Sequence, residues 1–226
     1  MERFVSHGDI VEFSYNSRQA EAEALADRYG VNAIRLNFLG SWEPPDTVAE
    51  VLINNSGVNL SGHDLAATTD DEVRQSMEVN VIAPLRFARH FVPYMRRLGR
   101  GRVININSIY GLAAPRLRLS YAMTKFALRA FTCSLAQELA PHAITVNDIC
   151  PGPVDSAMLR KMGADAVAAG RYPDLQRYLT AVGNELPLGR LIMAGEVATA
   201  AAFLASPAAA ACTGLALRVD GGQLNQ

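Results

Sequence analysis

GRVININSIYGLAAPRLRLSYAMTKFALRAFTCSLAQELAPHAITVNDI, residues 101–149, is the stretch on which the reading of the fold turns. Residues 101–107 are a short apolar run rich in Val and Ile, residues 120–139 carry a long helical pattern, and residues 144–149 are a second strand-like run. Toward the N-terminus the same alternation holds. Residues 10–14 are β-like, 17–29 helical with Asn16 or Ser17 as cap and Gly30 as stop, 33–37 β-like again, 51–53 a short buried strand and 70–97 a long helix. Toward the C-terminus, residues 157–188 are irregular or helical, 195–205 a helix and 215–219 a final strand. Strands alternating with helices predict an α/β fold, doubly wound, with a mostly parallel sheet covered on both faces. Neither an internal repeat nor a low-complexity linker divides the chain, so residues 1–226 read as a single domain.

Composition narrows the partners. Lys and Arg number 21 against 22 Asp and Glu, a net charge of -1, so the basic excess that attracts nucleic acid or anionic lipid is missing. Cys133, Cys150 and Cys212 are odd in number and far apart, without a histidine at metal-ligand spacing, which points to no disulfide framework, no metal and a reducing cytoplasm. Residues 1–8 lack the apolar run of a secretory signal. Residues 197–217 carry no charge, but they are mostly Ala and are cut by Pro207 and by Thr213-Gly214, so a helix, a turn and a strand are expected there rather than a membrane span.

Only two lysines occur, and one of them, Lys125, follows Tyr121 by four residues. On a helix that spacing puts both side chains on one face, where an ammonium would draw the phenol pKa down from about 10 and make it a general acid or base. By itself the pair fits equally a surface lysine beside a half-buried tyrosine.

Other stretches stand in one order with it: Asn54-Asn55-Ser56-Gly57, Asn80 within Val79-Asn80-Val81, residues 101–108 ending in Ser108, Tyr121-Ala122-Met123-Thr124-Lys125, and Pro151-Gly152-Pro153-Val154. Together they resemble the short-chain dehydrogenase/reductase family, with 3-oxoacyl-carrier-protein reductases as the most similar-looking group. The likeness runs from about residue 10 to the Val219-Asp220-Gly221-Gly222 tail. It implies a Rossmann-like sheet and a hydride transfer between NAD(P)H and a ketone or secondary alcohol. Tyr121 would protonate the carbonyl, Ser108 would hold the substrate oxygen, Lys125 would lower the tyrosine pKa and grip the nicotinamide ribose, and Asn80 would support a water relay. Asn54, Ser56, Gly57, Pro151, Gly152, Val154 and Ser156 would border the cofactor together with Tyr121 and Lys125, and Arg18 and Asn37 would meet its far end. Each turn residue among these has a purely structural use as well. Asn107, where the family often has Ser, is expected to matter little. The family likeness also implies a homodimer or homotetramer paired through the two long helices, and a substrate covered by residues 157–188, with Met158, Leu159, Met162, Tyr172, Tyr178 and Leu179 as lining or packing residues.

Two departures stand against the resemblance. The family's sheet opens with a strand and a glycine-rich turn whose amides hold the pyrophosphate. Residues 1–8 resemble only the end of the helix that follows, and no Gly-x-x-x-Gly-x-Gly occurs, so the fold reads as N-terminally truncated, its missing strand central between residues 10–14 and 51–53. A start placed too far downstream would explain that loss. It would not explain residues 38–50, where Pro44-Pro45 replace a full crossover helix. An extended segment of that length still reaches about 43 Å, enough to cross.

Two functions follow. One is an oxidoreductase acting on a small carbonyl or hydroxyl substrate; no acidic residue follows the first strand, and Arg18, which equally suits a solvated helix start, is near enough to meet a 2′-phosphate, which tips the cofactor weakly toward NADP. The other is a protein that keeps the fold without redox function, a partner subunit or a nicotinamide-independent catalyst using Tyr121 and Lys125.

Overall fold

The computed structural model describes residues 1–224. A one-turn helix, α1 (Glu2–Val5), precedes β1 (Glu12–Tyr15), α2 (Gln19–Tyr29) and β2 (Asn32–Arg35). After β3 (Val51–Asn54) come α3 (Asp70–Met77), a π-turn (Glu78–Ile82) and α4 (Ala83–Leu98). The expected crossover follows as β4 (Gly101–Ile106), α5 (Leu119–Leu139) and β5 (Ile144–Pro151). The segment read as irregular or helical is two helices, α6 (Ala157–Ala168) and α7 (Leu175–Asn184), before α8 (Ala194–Ala205) and β6 (Ala216–Val219).

Local chemistry accounts for the boundaries. α2 stops where Gly30 turns left-handed at φ 63 and donates its N–H to Ala26. Its N-cap position falls to Arg18 rather than to Asn16 or Ser17. Thr69 caps α3, its hydroxyl accepting from the Glu72 N–H at 3.2 Å, with Asp70, Asp71 and Glu72 at the positive end of the helix.

All strand pairings are parallel, as expected for a doubly wound fold. The sheet nevertheless comes in two pieces: β1 pairs only with β2, and β3-β4-β5-β6 form the larger piece in that order. The break lies between β1 and β3, where the sequence predicts the missing central strand. Strands separated by an empty place stand about 10 Å apart, two inter-strand spacings, beyond the reach of a backbone hydrogen bond. Successive residues of β4 point to opposite faces. Val103 enters a core with Leu52, Phe91, Met95, Leu139, Ile144 and Val146, under α4 and α5, while Ile104 enters another with Ile149, Ala201 and Leu204, under α8.

Residues 36–50 cross without a helix, as Pro44-Pro45 predict. Aromatic contacts hold the segment in place. The Phe38 and Trp42 rings lie 4.7 Å apart, Trp42 lies 5.1 Å from Phe87 of α4, and the Arg86 guanidinium sits 4.0 Å over the Trp42 ring. Leu36, Phe38 and Trp42 are buried there against Val79 and Ala83. Side-chain burial thus replaces the backbone ladder that a helix would have supplied.

Candidate active site

In a parallel sheet all strands end on one edge, and functional side chains gather there. β3 ends at Asn54, β4 runs into Ser108, and β5 ends at Pro151. α5 packs beneath this edge and brings Tyr121 and Lys125, one turn apart, against the end of β4. The Lys125 amine is buried, donates to the Ile106 carbonyl at 3.0 Å and lies 5.5 Å from the centroid of the Tyr121 ring. Ser108, also buried, is within hydrogen-bonding reach of the Tyr121 phenol and accepts from the Tyr110 N–H at 3.1 Å.

The π-turn explains how Asn80 joins them. An i→i+5 turn widens the helix locally and turns one side chain out of the regular face. The Asn80 amide clamps Val58 like a short ladder, accepting from its N–H and donating to its carbonyl, both at 2.9 Å, and donates to the Thr124 hydroxyl at 2.9 Å. Both of its N–H groups are therefore engaged, and the side chain fixes the loop after β3 against α5. A Cβ on Gly57 would sit 3.4 Å from Asn80 Oδ1 and 3.9 Å from the Lys125 amine, so the bare glycine leaves the face of that amine open.

Burial dominates the electrostatics. It pushes the Tyr121 phenol up to about 12, against the hydrogen bond from Ser108 and the charge of Arg118. It pulls the Lys125 ammonium down to about 8, opposed by the negative charge of Asp148. The lowering of the phenol expected from Lys125 does not emerge: burial sets the shift, and the groups that oppose it are Ser108 and Arg118. As the structure stands, Tyr121 is a proton holder.

The remaining sequence candidates divide. Asn54 is buried and donates to Asn105 at 2.8 Å, so it ties β3 to β4. Pro151 is buried at the end of β5, Gly152 and Val154 are half-buried beyond it, and Ser156 caps α6 by accepting from the Leu159 N–H at 3.4 Å. Ser56 is exposed on the loop beside Gly57. Arg18 and Asn37 stand apart from this group: exposed Arg18 pairs with Glu21 at 3.1 Å, and Asn37 accepts from the Leu39 N–H at 3.1 Å in a tight turn. Of the covering segment, Leu159 and Leu179 are buried as packing, Met162 receives a contact from the Asn59 amide at 4.0 Å, and the Tyr172 and Tyr178 rings stack edge-on at 5.2 Å. His63, without an assigned role in the sequence, bonds Glu72 at 2.7 Å.

Beneath the site runs a buried polar chain that the sequence reading passed over. Asn105 donates to Thr132 at 2.8 Å, Thr132 donates to Asp148 at 2.6 Å, and Arg129 pairs with Asp148 at 3.1 Å and reaches the Gly214 carbonyl at 2.8 Å. The available signal was an aspartate within a strand of mainly buried character, preceded in the chain by a helix that carries Arg129 and Thr132 three apart. Asn107 is buried, and its amide lies close enough to Asp148 to favour the ionised carboxylate, although neither end makes a hydrogen bond of ordinary geometry. A Cβ on Gly111 would lie 2.7 Å from Asn107 Oδ1 and 2.7 Å from the Lys125 backbone carbonyl, so Gly111→Ala is expected to lower stability by about 1–3 kcal/mol in urea denaturation.

Among the described residues no group of three or more His, Cys, Asp or Glu could hold a metal, all three cysteines are free, and no helix is long and apolar enough to cross a membrane.

A family profile described as enoyl-(acyl carrier protein) reductase matches residues 46–223. The chain belongs to the short-chain dehydrogenase/reductase family. Among individual relatives, it is 36% identical to the oxidoreductase YvrD of Bacillus subtilis over 76% of this chain and 66% of that one. It is 30% identical to the oxidoreductase YmfI of the same organism over 98% and 91%. It is 34% identical to 3-oxoacyl-[acyl-carrier-protein] reductase FabG of Escherichia coli over 89% and 82%. In structure it resembles L-sorbose reductase from Gluconobacter frateurii, solved with NADPH and L-sorbose, at a TM-score of 0.88 and 27% identity, covering 100% of this chain and 90% of that one.

Proposed function

We propose that the chain is a reductase that uses NADPH to convert a small ketone to a secondary alcohol, working in the cytoplasm as a homodimer or homotetramer. The observation that carries the reading is the convergence of Ser108, Tyr121 and Lys125 around the side-chain-free face at Gly57. When bound, the nicotinamide supplies a hydride to the carbonyl carbon. The residues present fit the nicotinamide-riboside end: the Lys125 amine has three protons and one protein acceptor, which leaves donors for ribose hydroxyls, and the backbone of Pro151, Gly152 and Val154 lies along the same edge. The pyrophosphate end has no glycine-rich turn to meet it, and Arg18 would have to leave Glu21 to reach a 2′-phosphate. The NADPH bound to the sorbose reductase supports the choice of cofactor.

Tyr121 and Ser108 act on the substrate oxygen. As the carbonyl carbon gains a hydride its oxygen becomes negative, and two donors already aimed at it need little reorganisation. Tyr121, which holds its proton through neutral pH, delivers it to that oxygen. Lys125, charged below about 8, then steadies the phenolate left behind. The sign of the pH dependence follows: reduction falls as pH rises through about 8, because Lys125 loses its charge there while Tyr121 is still protonated. A kcat/KM profile between pH 6 and 10 checks this, and a flat profile across that range overturns the assigned roles.

For the assembly, Leu117, Leu119, Met123 and Phe126 are each between 41% and 47% exposed and border a groove of about 650 Å³ along α5, an apolar surface suited to a second copy. The decisive experiment is calorimetric titration of the purified chain with NADPH. Saturable binding with oxidation of NADPH by a ketone supports the reductase. Absence of binding at millimolar cofactor would favour the nicotinamide-independent reading.

A further inference from the structure

We propose that Arg118 selects the substrate: a ketone bearing an anionic group, carboxylate or phosphate, a few bonds from its carbonyl, docks on this guanidinium beside Tyr121. The inference rests on the reductase reading above and names the class of ketone.

Arg118 is the residue before α5, three positions ahead of Tyr121, about 4.5 Å along the helix axis. The loop after β3 is shaped to receive it. Arg118 donates to the Ser61 carbonyl at 3.4 Å, and a Cβ on Gly62 would lie 3.3 Å from the same guanidinium nitrogen. Gly62 takes a φ of +141, which side-chain-bearing residues avoid, so the position suits a glycine for both reasons. Tyr178 of α7 is near enough to feel the Arg118 charge, and Tyr110 of the turn after β4 has its ring 6.2 Å from that of Tyr121.

Three features of this placement point to an anion. Arg118 is half-buried, yet among the described residues it pairs with no carboxylate, and one long contact to a carbonyl leaves most of its five donors free. A partly desolvated guanidinium without a counter-charge is costly unless a ligand supplies one. The residue before it, Leu117, is held at φ 60, a left-handed backbone that sets the chain's entry into α5 and with it the place of Arg118. Finally, the positive charge reaches the tyrosines around Tyr121: Arg118 favours the ionised forms of both Tyr121 and Tyr178, and exposed Arg171 adds to it at Tyr178. A carbonyl held by Ser108 and Tyr121 therefore has a cation within reach of its substituent.

Two substrate pairs test the inference: acetoacetate against its methyl ester, and hydroxyacetone phosphate against hydroxyacetone, each with NADPH. The expected result is a higher kcat/KM for the anionic member of at least one pair, with that preference falling about tenfold to a hundredfold in Arg118→Met and partly recovering in Arg118→Lys. Which pair responds distinguishes carboxylate from phosphate. Equal use of charged and neutral ketones by the parent chain, or a preference that survives Arg118→Met, overturns the proposal while leaving the reductase reading intact. Calorimetry of the cofactor-free chain with acetoacetate and hydroxyacetone phosphate judges Arg118 even where no ketone turns over. Saturable binding weakened tenfold or more by the substitution supports it, and no saturable binding of either anion overturns it. Should Arg118→Met misfold by circular dichroism, Arg118→Gln, which keeps a polar side chain of similar reach without the charge, is read in the same way.

Discussion

Tyr121→Phe is expected to lower kcat/KM for ketone reduction by about 100- to 10,000-fold, the span set by losing a positioned general acid. The substitution removes one oxygen from a buried ring and leaves the shape of the site in place. What goes is the proton, which the buried phenol keeps up to about 12, and the group that shares a hydrogen bond with Ser108. Lys125 cannot take over: its amine sits 5.5 Å from the ring centroid, on the ribose side of the site rather than at the carbonyl oxygen. Steady-state kinetics with thermal denaturation as a control separates chemistry from folding. A loss smaller than tenfold would remove Tyr121 from the role of acid.

Arg129→Met is expected to cost about 3–5 kcal/mol of folding stability, the penalty for stranding a buried charge. Asp148 is wholly buried, and Arg129 is the cation that pairs with it, at 3.1 Å. Thr132 and its 2.6 Å bond remain, but a hydroxyl offsets only part of the desolvation. Burial already raises the Asp148 pKa above its ordinary value, against the hydrogen bonds that lower it, so the folded state holds this proton more tightly than the unfolded one. The contribution is therefore present in acid and lost as pH rises through the folded pKa, and the deficit of the variant grows from mildly acidic to neutral pH. Urea denaturation at both pH values measures it, and adding Asp148→Asn should recover most of the loss because no bare charge then remains. An unchanged midpoint would mean that water reaches Asp148.

The elements were legible because periodicity is local. The all-buried residues of β5 and the helical pattern of α5 read directly as strand and helix, and Pro44-Pro45 told that no helix crosses there. The Tyr121–Lys125 pair was legible for the same reason, since four residues on a helix is one turn. Asn107, Asp148 and Arg118 were not. Each matters through a neighbour far away in the chain: Gly111 and the Lys125 backbone for Asn107, Arg129 for Asp148, Ser61 and Gly62 for Arg118.

The chain by itself determined which segments are strands and helices, that the strands run parallel, and which residue types carry proton chemistry, because backbone geometry and side-chain pKa values are properties of short stretches. Tertiary structure decided the rest. Packing depth, which no window of sequence contains, set the direction in which Tyr121 and Lys125 titrate, and it overrode the attraction expected between neighbours. Distance between strands, likewise, divided the sheet at β1 and β3 and left the aromatic rings of Phe38, Trp42 and Phe87 to hold the two pieces in place.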